Sequence, residues 1–175
     1  MINKRLFTFG CSHTSYHWPS WADIIGMSYK EYYNYGMNGA GNYFILTQLY
    51  EVNEVYNLTE NDVILIMLSS DDRADFILPI NKWSNSGGLY NQSNIGGYGK
   101  SFIQNIWSED HAINQGWVLT KSIFHFLNSL NWVVKNRYVI LFNEPNQAKE
   151  WGGQVNPAEY AEYSWQLARK LKKSD

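Results

Sequence analysis

Arg5-Leu6-Phe7-Thr8-Phe9-Gly10-Cys11-Ser12-His13-Thr14 runs a short apolar strand into a glycine turn that presents a serine. Residues 6–9 read as a strand, and the strand ends of parallel sheets are where α/β proteins keep their chemistry. A serine on such a turn is a candidate nucleophile. It needs a base and an oxyanion site beside it, so the rest of the chain must bring both to the same sheet edge.

Working outward, the chain alternates. Pro19 suits the first turn of a short helix through Ile24, stopped by Gly26. Residues 31–35 read as a second strand, broken by Gly36 and Gly39, and a helix follows with Ile45, Leu49 and Val52 on one face. After a polar connector over 58–62, residues 63–68 are six consecutive apolar residues, the pattern of a central strand buried on both faces. A helix is expected over 113–134, with Ile113, Trp117, Phe124 and Leu127 on its inner face, and a strand over 138–142. Asn156-Pro157-Ala158-Glu159 opens a last helix with an N-cap, a proline at N1 and a glutamate at N3. This order predicts one α/β domain over 1–175, a three-layer sandwich of the flavodoxin-like kind whose parallel sheet has strand order 2-1-3-4.

Residues 69–111 stand apart. They are rich in Gly, Asn and Ser, show little periodicity, and carry Trp83, Tyr90, Tyr98 and Trp107. A segment this long reads as a functional lid or an ordered insertion, and its rings suit a flat ligand such as a sugar.

Composition narrows the function classes. The 175 residues carry a formal charge of −2 with no basic block, which argues against nucleic acid as a partner. The single cysteine, Cys11, excludes an internal disulfide and a Cys-rich zinc site. No 18-residue apolar run occurs, and Met1-Ile2-Asn3-Lys4-Arg5 lacks the apolar core of a secretion signal, so the expectation is a cytoplasmic protein without a membrane partner. Asp71, Asp72, Asp75 and Glu144 are oxygen ligands that would suit Mg²⁺, but acid pairs at strand ends are common without metal. Gly36-Met37-Asn38-Gly39-Ala40-Gly41 departs from Gly-x-Gly-x-x-Gly, so no dinucleotide is expected. The reading therefore includes neither metal nor cofactor.

Three blocks carry a family likeness over residues 4–125. Gly10-Cys11-Ser12-His13-Thr14 resembles the Gly-Asp-Ser block of the SGNH (GDSL-like) hydrolases. Asn34-Tyr35-Gly36-Met37-Asn38-Gly39 resembles their second block, and Ile66-Met67-Leu68-Ser69-Ser70-Asp71-Asp72 sits where the third carries Gly-x-Asn-Asp. Tyr16-His17-Trp18-Pro19 and Trp21-Ala22-Asp23 look like a phage-type subgroup, which adds a virion-associated location to the expectations. The resemblance implies that Ser12 attacks an ester carbonyl while the backbone N–H groups of Ser12 and Gly39 hold the oxyanion. It also implies an esterase or carbohydrate deacetylase acting on a small-molecule or glycan ester.

Two departures matter. Asp71 replaces the family's asparagine, and an ionised aspartate repels an oxyanion that an asparagine would bind. The site then needs a protonated Asp71, or positive potential from Arg73, or it is not an ordinary esterase. Nor does any of His13, His17, His111 and His125 follow an aspartate by three residues, so the family's Asp-x-x-His base is missing. His17 and His111 lie on or near loops and could reach inward, with His17 the preferred candidate. His13 adjoins Ser12, but adjacent side chains diverge. His125 falls in a helical stripe and reads as structural.

Residues 126–175 point elsewhere. Arg137-Tyr138-Val139-Ile140-Leu141-Phe142-Asn143-Glu144-Pro145 resembles the strand ending in Asn-Glu-Pro of clan A glycoside hydrolases, where the glutamate is the general acid/base. That chemistry needs a second carboxylate roughly 5 Å away, on a barrel of about 250 residues. In this chain the unit is expected to complete the sheet, with Glu144 joining Ser12, Gly39 and Asp71 at one edge. The candidate site is thus Ser12, Gly39, Asp71, His17 and Glu144 for catalysis, with Trp83, Tyr90, Tyr98, Trp107 and Arg73 for the substrate. The alternatives are a non-catalytic glycan-binding or phage-associated structural module, and a glycoside hydrolase fragment using Glu144.

Overall fold

A computed structural model describes residues 1–70, 73–79, 82–88, 108–130 and 137–140. Strand β1 (Ile2–Gly10) leads through helix α1 (Trp21–Gly26) to β2 (Tyr29–Gly36), then α2 (Asn42–Tyr56) and β3 (Asp62–Met67). A hairpin, β4 (Arg73–Leu78) and β5 (Lys82–Gly88), precedes α3 (Glu109–Ser129) and β6 (Arg137–Ile140). The centre of the sheet is parallel, in the order β2-β1-β3. Arg137–Ile140 pairs in parallel on the far side of β3, from Ile64↔Arg137 to Met67↔Ile140. Residues 141 and 142 of the expected strand, the helix expected from Pro157, and Glu144 lie outside the described residues.

The side-chain alternation of β1 and β3 sorts the core. Phe7, Phe9, Ile64 and Ile66 face one side, where Ile45, Leu49 and Val52 of α2 meet Ile123, Phe126 and Leu127 of α3. Leu6, Val63 and Leu65 face the other, against Trp21 of α1 and Tyr29 and Tyr32 of β2. Helices therefore cover both faces, as continuous apolar strands require. Cross-strand rings tie β1 to β2: Phe7 stacks on Tyr33 at 5.0 Å and Phe9 on Tyr35 at 5.5 Å, the lateral pairing that stabilises sheets. Among the described residues, no helix is long and apolar enough to cross a membrane.

Several expectations need correction. Pro19 is not in the first turn of α1, because Ser20 is its N-cap and forms a capping box with Asp23. Gly26 is the last residue of α1 rather than a stop beyond it, and a Cβ there would meet the Tyr32 ring at 2.5 Å. Helix α3 begins at Glu109 and ends at Ser129, earlier than expected at both ends. Of its expected inner face Leu127 is buried and Phe124 half-buried, but the face is otherwise rotated. Ala112, Ile123, Phe126 and Leu127 are buried, while Ile113 and Trp117 are exposed, the latter under the Lys121 ammonium at 4.6 Å. His125 is exposed on this helix rather than buried in a stripe. The segment read as an irregular insertion contains the antiparallel β4–β5 hairpin.

At the sheet edge opposite Ser12, Arg5 and Asp62 form a bidentate pair. Nε donates to Oδ1 at 2.6 Å and Nη2 to Oδ2 at 2.7 Å. The Asp62 side chain is 2% exposed and the Arg5 side chain 28%. Asp62 also accepts from the Thr59 backbone N–H at 2.7 Å. Losing either partner of an enclosed pair is costly, but a carboxylate left behind in the interior suffers more than a guanidinium that can turn to water. Arg5→Ala is expected to destabilise the protein by roughly 2–3 kcal/mol, and Asp62→Ala by less. Urea unfolding of the two variants checks the order, and equal losses would contradict it.

Candidate functional site

Three strand ends lie level. Gly10 pairs with Gly36, Phe9 pairs with both Tyr35 and Ile66, and the Met37 N–H donates to the Gly10 carbonyl at 3.1 Å. The turn after β1 starts here. Thr14 and Ser15 both donate their N–H groups to the Cys11 carbonyl, at 2.9 and 3.1 Å. The turn folds tightly against the strands: a Cβ on Gly10 would collide with Thr14 Oγ1, and one on Gly36 would come within 2.9 Å of the Ser15 nitrogen.

Behind this turn lies a polar hub. The Thr14 carbonyl accepts from Ser20 Oγ at 2.6 Å and from Asn34 Nδ2 at 2.7 Å. Asp23 gathers the donors: the Ser20 N–H at 2.8 Å, the Tyr32 hydroxyl at 3.0 Å and Asn34 Nδ2 at 3.3 Å, with the single Ser20 Oγ–H shared between the Thr14 carbonyl and Asp23 Oδ2 at 2.8 Å. Burial pushes the Tyr32 phenol up to about 12, so it remains a donor. The Ser20 backbone N–H, with smaller help from the side-chain donors, holds the Asp23 carboxyl below the usual carboxylate range.

The second loop carries Gly39. It is the third residue of a turn closed by the Ala40 N–H donating to the Met37 carbonyl at 3.1 Å, and its φ is +75°. That position of such a turn favours glycine. The Ala40 carbonyl accepts from Ser69 Oγ at 2.6 Å and from Arg73 Nη1 at 3.3 Å. Arg73 therefore reaches the backbone one residue beyond Gly39. The amide of Asn42 bridges in both directions to the segment just after β3, accepting from the Ser69 N–H at 2.8 Å and donating to the Ser69 carbonyl at 3.0 Å.

Helix α2 has Gly41 as its N-cap and no capping side chain of its own. Asp75 on β4 supplies the cap from outside, accepting from the Gly41 and Phe44 N–H groups at 2.8 Å each. Burial, the largest influence, pushes the Asp75 carboxyl upward, against these donors and Arg73. Sequence reasoning missed Asn42, Ser69 and Asp75 as organisers of the Gly39 loop. The readable signal was Gly41-Asn42 opening an apolar-periodic helix without the usual cap.

A cleft of about 500 Å³ opens at this edge. Ser12, His13, Tyr16 and Trp18 line it from the β1–α1 turn, Trp21 from α1, Asn38 from the second loop and Met67 from the end of β3. The Cys11 thiol contacts His13 Nδ1 at 3.7 Å. His17 is exposed, its ring 4.7 Å from that of Tyr16, and it is not among the lining residues. His111 sits in the first turn of α3, where its N–H is capped by Ser108 at 3.2 Å. Trp83 packs edge-on against Phe44 at 5.2 Å and Tyr43 at 5.6 Å, so its ring belongs to the packing around Cys11, Ala40 and Met67. Asp71, Asp72, Tyr90, Tyr98, Trp107 and Glu144 lie outside the described residues. Among the described residues, no group of three or more His, Cys, Asp or Glu side chains is placed to hold a metal.

No protein-family model and no curated protein matches the chain. Among solved structures it is similar to the crystal structure of a member of the lipolytic protein G-D-S-L family from Veillonella parvula DSM 2008. The identity is 16% and the TM-score 0.40, over 79% of this chain and 57% of that one.

The Asp23 hub has a definite sign with pH. Its folded carboxyl value is lowered, so its contribution is fully present above the ordinary carboxylate range and is lost as pH falls through the lowered value. The stability gap between wild type and Asp23→Asn is expected to be largest at neutral pH and to shrink toward pH 3. Urea midpoints across that range check it, and a constant gap would refute it. For the other loop, Asn42→Ala leaves the Ser69 N–H and carbonyl inside without partners, a loss of about 2 kcal/mol that thermal unfolding would register.

Proposed function

We propose that the cleft is the active site of a serine ester hydrolase of the SGNH-like kind. The observation that carries this reading is the placement of Ser12 on the turn after β1, in one cleft with His13, level with the Gly36–Ala40 loop. Ser12 Oγ attacks the ester carbonyl carbon, and its proton passes to His13 Nε2. The tetrahedral oxyanion is met by the Ser12 and Gly39 backbone N–H groups, a preorganised donor pair of the kind that lowers acyl-transfer barriers. Collapse breaks the carbon–oxygen bond to the alcohol, which leaves with the proton from His13. A water molecule then repeats the sequence on the acyl-serine and releases the acid.

His13 takes the place of His17 in this reading because it lines the cleft. The contact of Cys11 Sγ with Nδ1 orients the ring. A proton on Nδ1, donated to sulfur, makes Nε2 the accepting nitrogen. Arg73 contributes positive potential near the Gly39 loop, its Nη1 donating to the Ala40 carbonyl.

The alternative is a binding module without turnover, which the exposed rings at the cleft mouth favour. Hydrolysis of a short-chain aryl ester separates the two. Ser12→Ala is expected to lower turnover by about 10³-fold or more with an unchanged melting temperature, since Ser12 is not part of the core. His13→Gln is expected to remove most of the same activity, whereas His17→Gln leaves it near wild type. Equal turnover in Ser12→Ala and wild type would overturn the hydrolase reading.

A further inference from the structure

Strand β2 lies at an edge of the sheet, where among the described residues it pairs with β1 alone. Two hydrogen bonds at its end show which way its backbone groups point. The Met37 N–H is directed at β1 and donates to the Gly10 carbonyl, whereas the Gly36 N–H donates to Asn34 Oδ1 at 2.9 Å. Successive residues of a strand turn their N–H and C=O groups to opposite sides. Glu31, Tyr33 and Tyr35 therefore bond toward β1, and Lys30, Tyr32 and Asn34 present theirs outward. Such an edge is a template for another strand unless a proline, a bulge or a cover blunts it. No proline occurs in β2. The register shift between β1 and β2 is confined to the stretch from Ile2 to Arg5 of β1, and Lys30 and Glu31 are exposed. Apolar surface accompanies this edge. A Cβ on Gly26 would meet the Tyr32 ring at 2.5 Å, so the end of α1 lies over the middle of β2. The neighbours of Gly26 face water, with Ile25 38% exposed and Met27 83%.

We propose that β2 pairs antiparallel with β2 of a second copy about a two-fold axis at Tyr32, joining the two sheets into one. Three registers bring more than one pair of outward residues together. An axis at Glu31 pairs Lys30 with Tyr32 but sets the two Glu31 carboxylates directly opposite each other, which like charges disfavour. An axis at Tyr33 pairs Tyr32 with Asn34 but places Lys30 opposite Gly36, whose N–H the Asn34 side chain already occupies. An axis at Tyr32 engages every outward residue. Tyr32 then meets Tyr32 of the second copy, and Lys30 meets Asn34. Glu31 meets Tyr33, a hydroxyl that already donates to the Glu31 carboxylate at 3.1 Å within one chain. The two Lys30 side chains fall at opposite ends of the pairing. Charge and hydrogen bonding thus select one register, and an isologous contact of this kind closes as a dimer. The ladder gives direction, while Ile25 and Met27 beside the axis add apolar area toward the roughly 1,000 Å² that a stable interface needs. Asn34 would serve both sides of the strand, its Nδ2 holding the Thr14 carbonyl behind the Ser12 turn and its backbone joining the new ladder. The pairing does not rest on the hydrolase reading.

The test is sedimentation velocity on the full chain across the micromolar range, where a monomer–dimer equilibrium is expected. Lys30→Pro removes an outward N–H and leaves the ladder to β1 intact. It is expected to weaken dimerisation about tenfold or more with an unchanged far-UV circular dichroism spectrum. Met27→Glu puts a carboxylate beside the axis at an exposed residue and is expected to weaken dimerisation likewise; it decides alone if Lys30→Pro does not fold. Cysteine pairing reads the register, because facing residues of a non-hydrogen-bonded pair lie within disulfide reach. Glu31→Cys chains mixed with Tyr33→Cys chains are expected to cross-link under mild oxidation, and Glu31→Cys chains alone are expected not to. A monomer at every concentration, assemblies larger than a dimer, or a dimer indifferent to both Lys30→Pro and Met27→Glu would overturn the proposal. So would Glu31→Cys chains that cross-link to one another.

Discussion

The candidate site depends on how closely the turn after β1 sits against the ends of β1 and β2. There is no room for a side chain at Gly10, where Thr14 Oγ1 occupies the space, or at Gly36, where Ser15 and Thr14 crowd within 2.9 Å. That approach brings the Thr14 carbonyl within reach of Ser20 and Asn34, and their bonds draw Asp23 and Tyr32 into one network. A Cβ at either glycine would push the turn away from the strands. The result would be several polar groups losing partners together, and networks of this kind fail as a unit.

The two loops at the edge are held by different physics. Apolar burial fixes where the strands end: Phe7, Phe9, Ile64 and Ile66 are at most 1% exposed, and their registers bring Gly10, Gly36 and Met67 level. Burial alone is non-directional and would tolerate small shifts of a loop. Direction comes from hydrogen bonds. The two-way bridge between Asn42 and Ser69 works like one rung of a sheet ladder, tying the start of α2 to the exit of β3. Asp75 adds a third anchor from the hairpin. The β4–β5 hairpin thus belongs to the support of the Gly39 loop, and its contribution comes from Asp75, Arg73 and Trp83 together.

Much of the framework was legible in the sequence because it rests on local patterns. The apolar runs at 6–9 and 63–68 announce central strands, and Ile45, Leu49 and Val52 mark the buried face of α2. What escaped was set by partners distant in sequence. The β5 residues Ser84, Asn85, Ser86, Gly87 and Gly88 have weak strand propensity and are strand only because β4 pairs with them. The cap of α2 comes from a residue 34 positions after the N-cap, so a search for a local cap fails. Helix α3 is amphipathic enough that two phases of its apolar residues fit a stripe. The packing against Phe9 and Ile66 chose the phase with Ala112 and Ile123 and left Ile113 and Trp117 outside. At the candidate site, the sequence reading weighed His13 and set it aside because adjacent side chains diverge, yet Ser12 and His13 line one cleft. In a turn, as opposed to a strand, neighbours can share a cleft.

The same principle separates the two carboxylates behind the site. Asp23 and Asp75 each accept several hydrogen bonds and each fastens one loop, yet their carboxyl groups shift in opposite directions. For Asp23 the donors outweigh burial, so ionisation is favoured. For Asp75 burial outweighs two backbone N–H bonds, the N-terminus of α2 and Arg73, so its charge is held at a cost. An uncharged acceptor would avoid that cost but could not serve both N–H groups, since an asparagine would turn an NH₂ toward one of them. Asp75 is therefore a compromise between desolvation and the need for two acceptors at one helix end. Both carboxylates thus lie behind the loops they fasten, and none of the described residues lining the cleft is Asp, Glu, Lys or Arg.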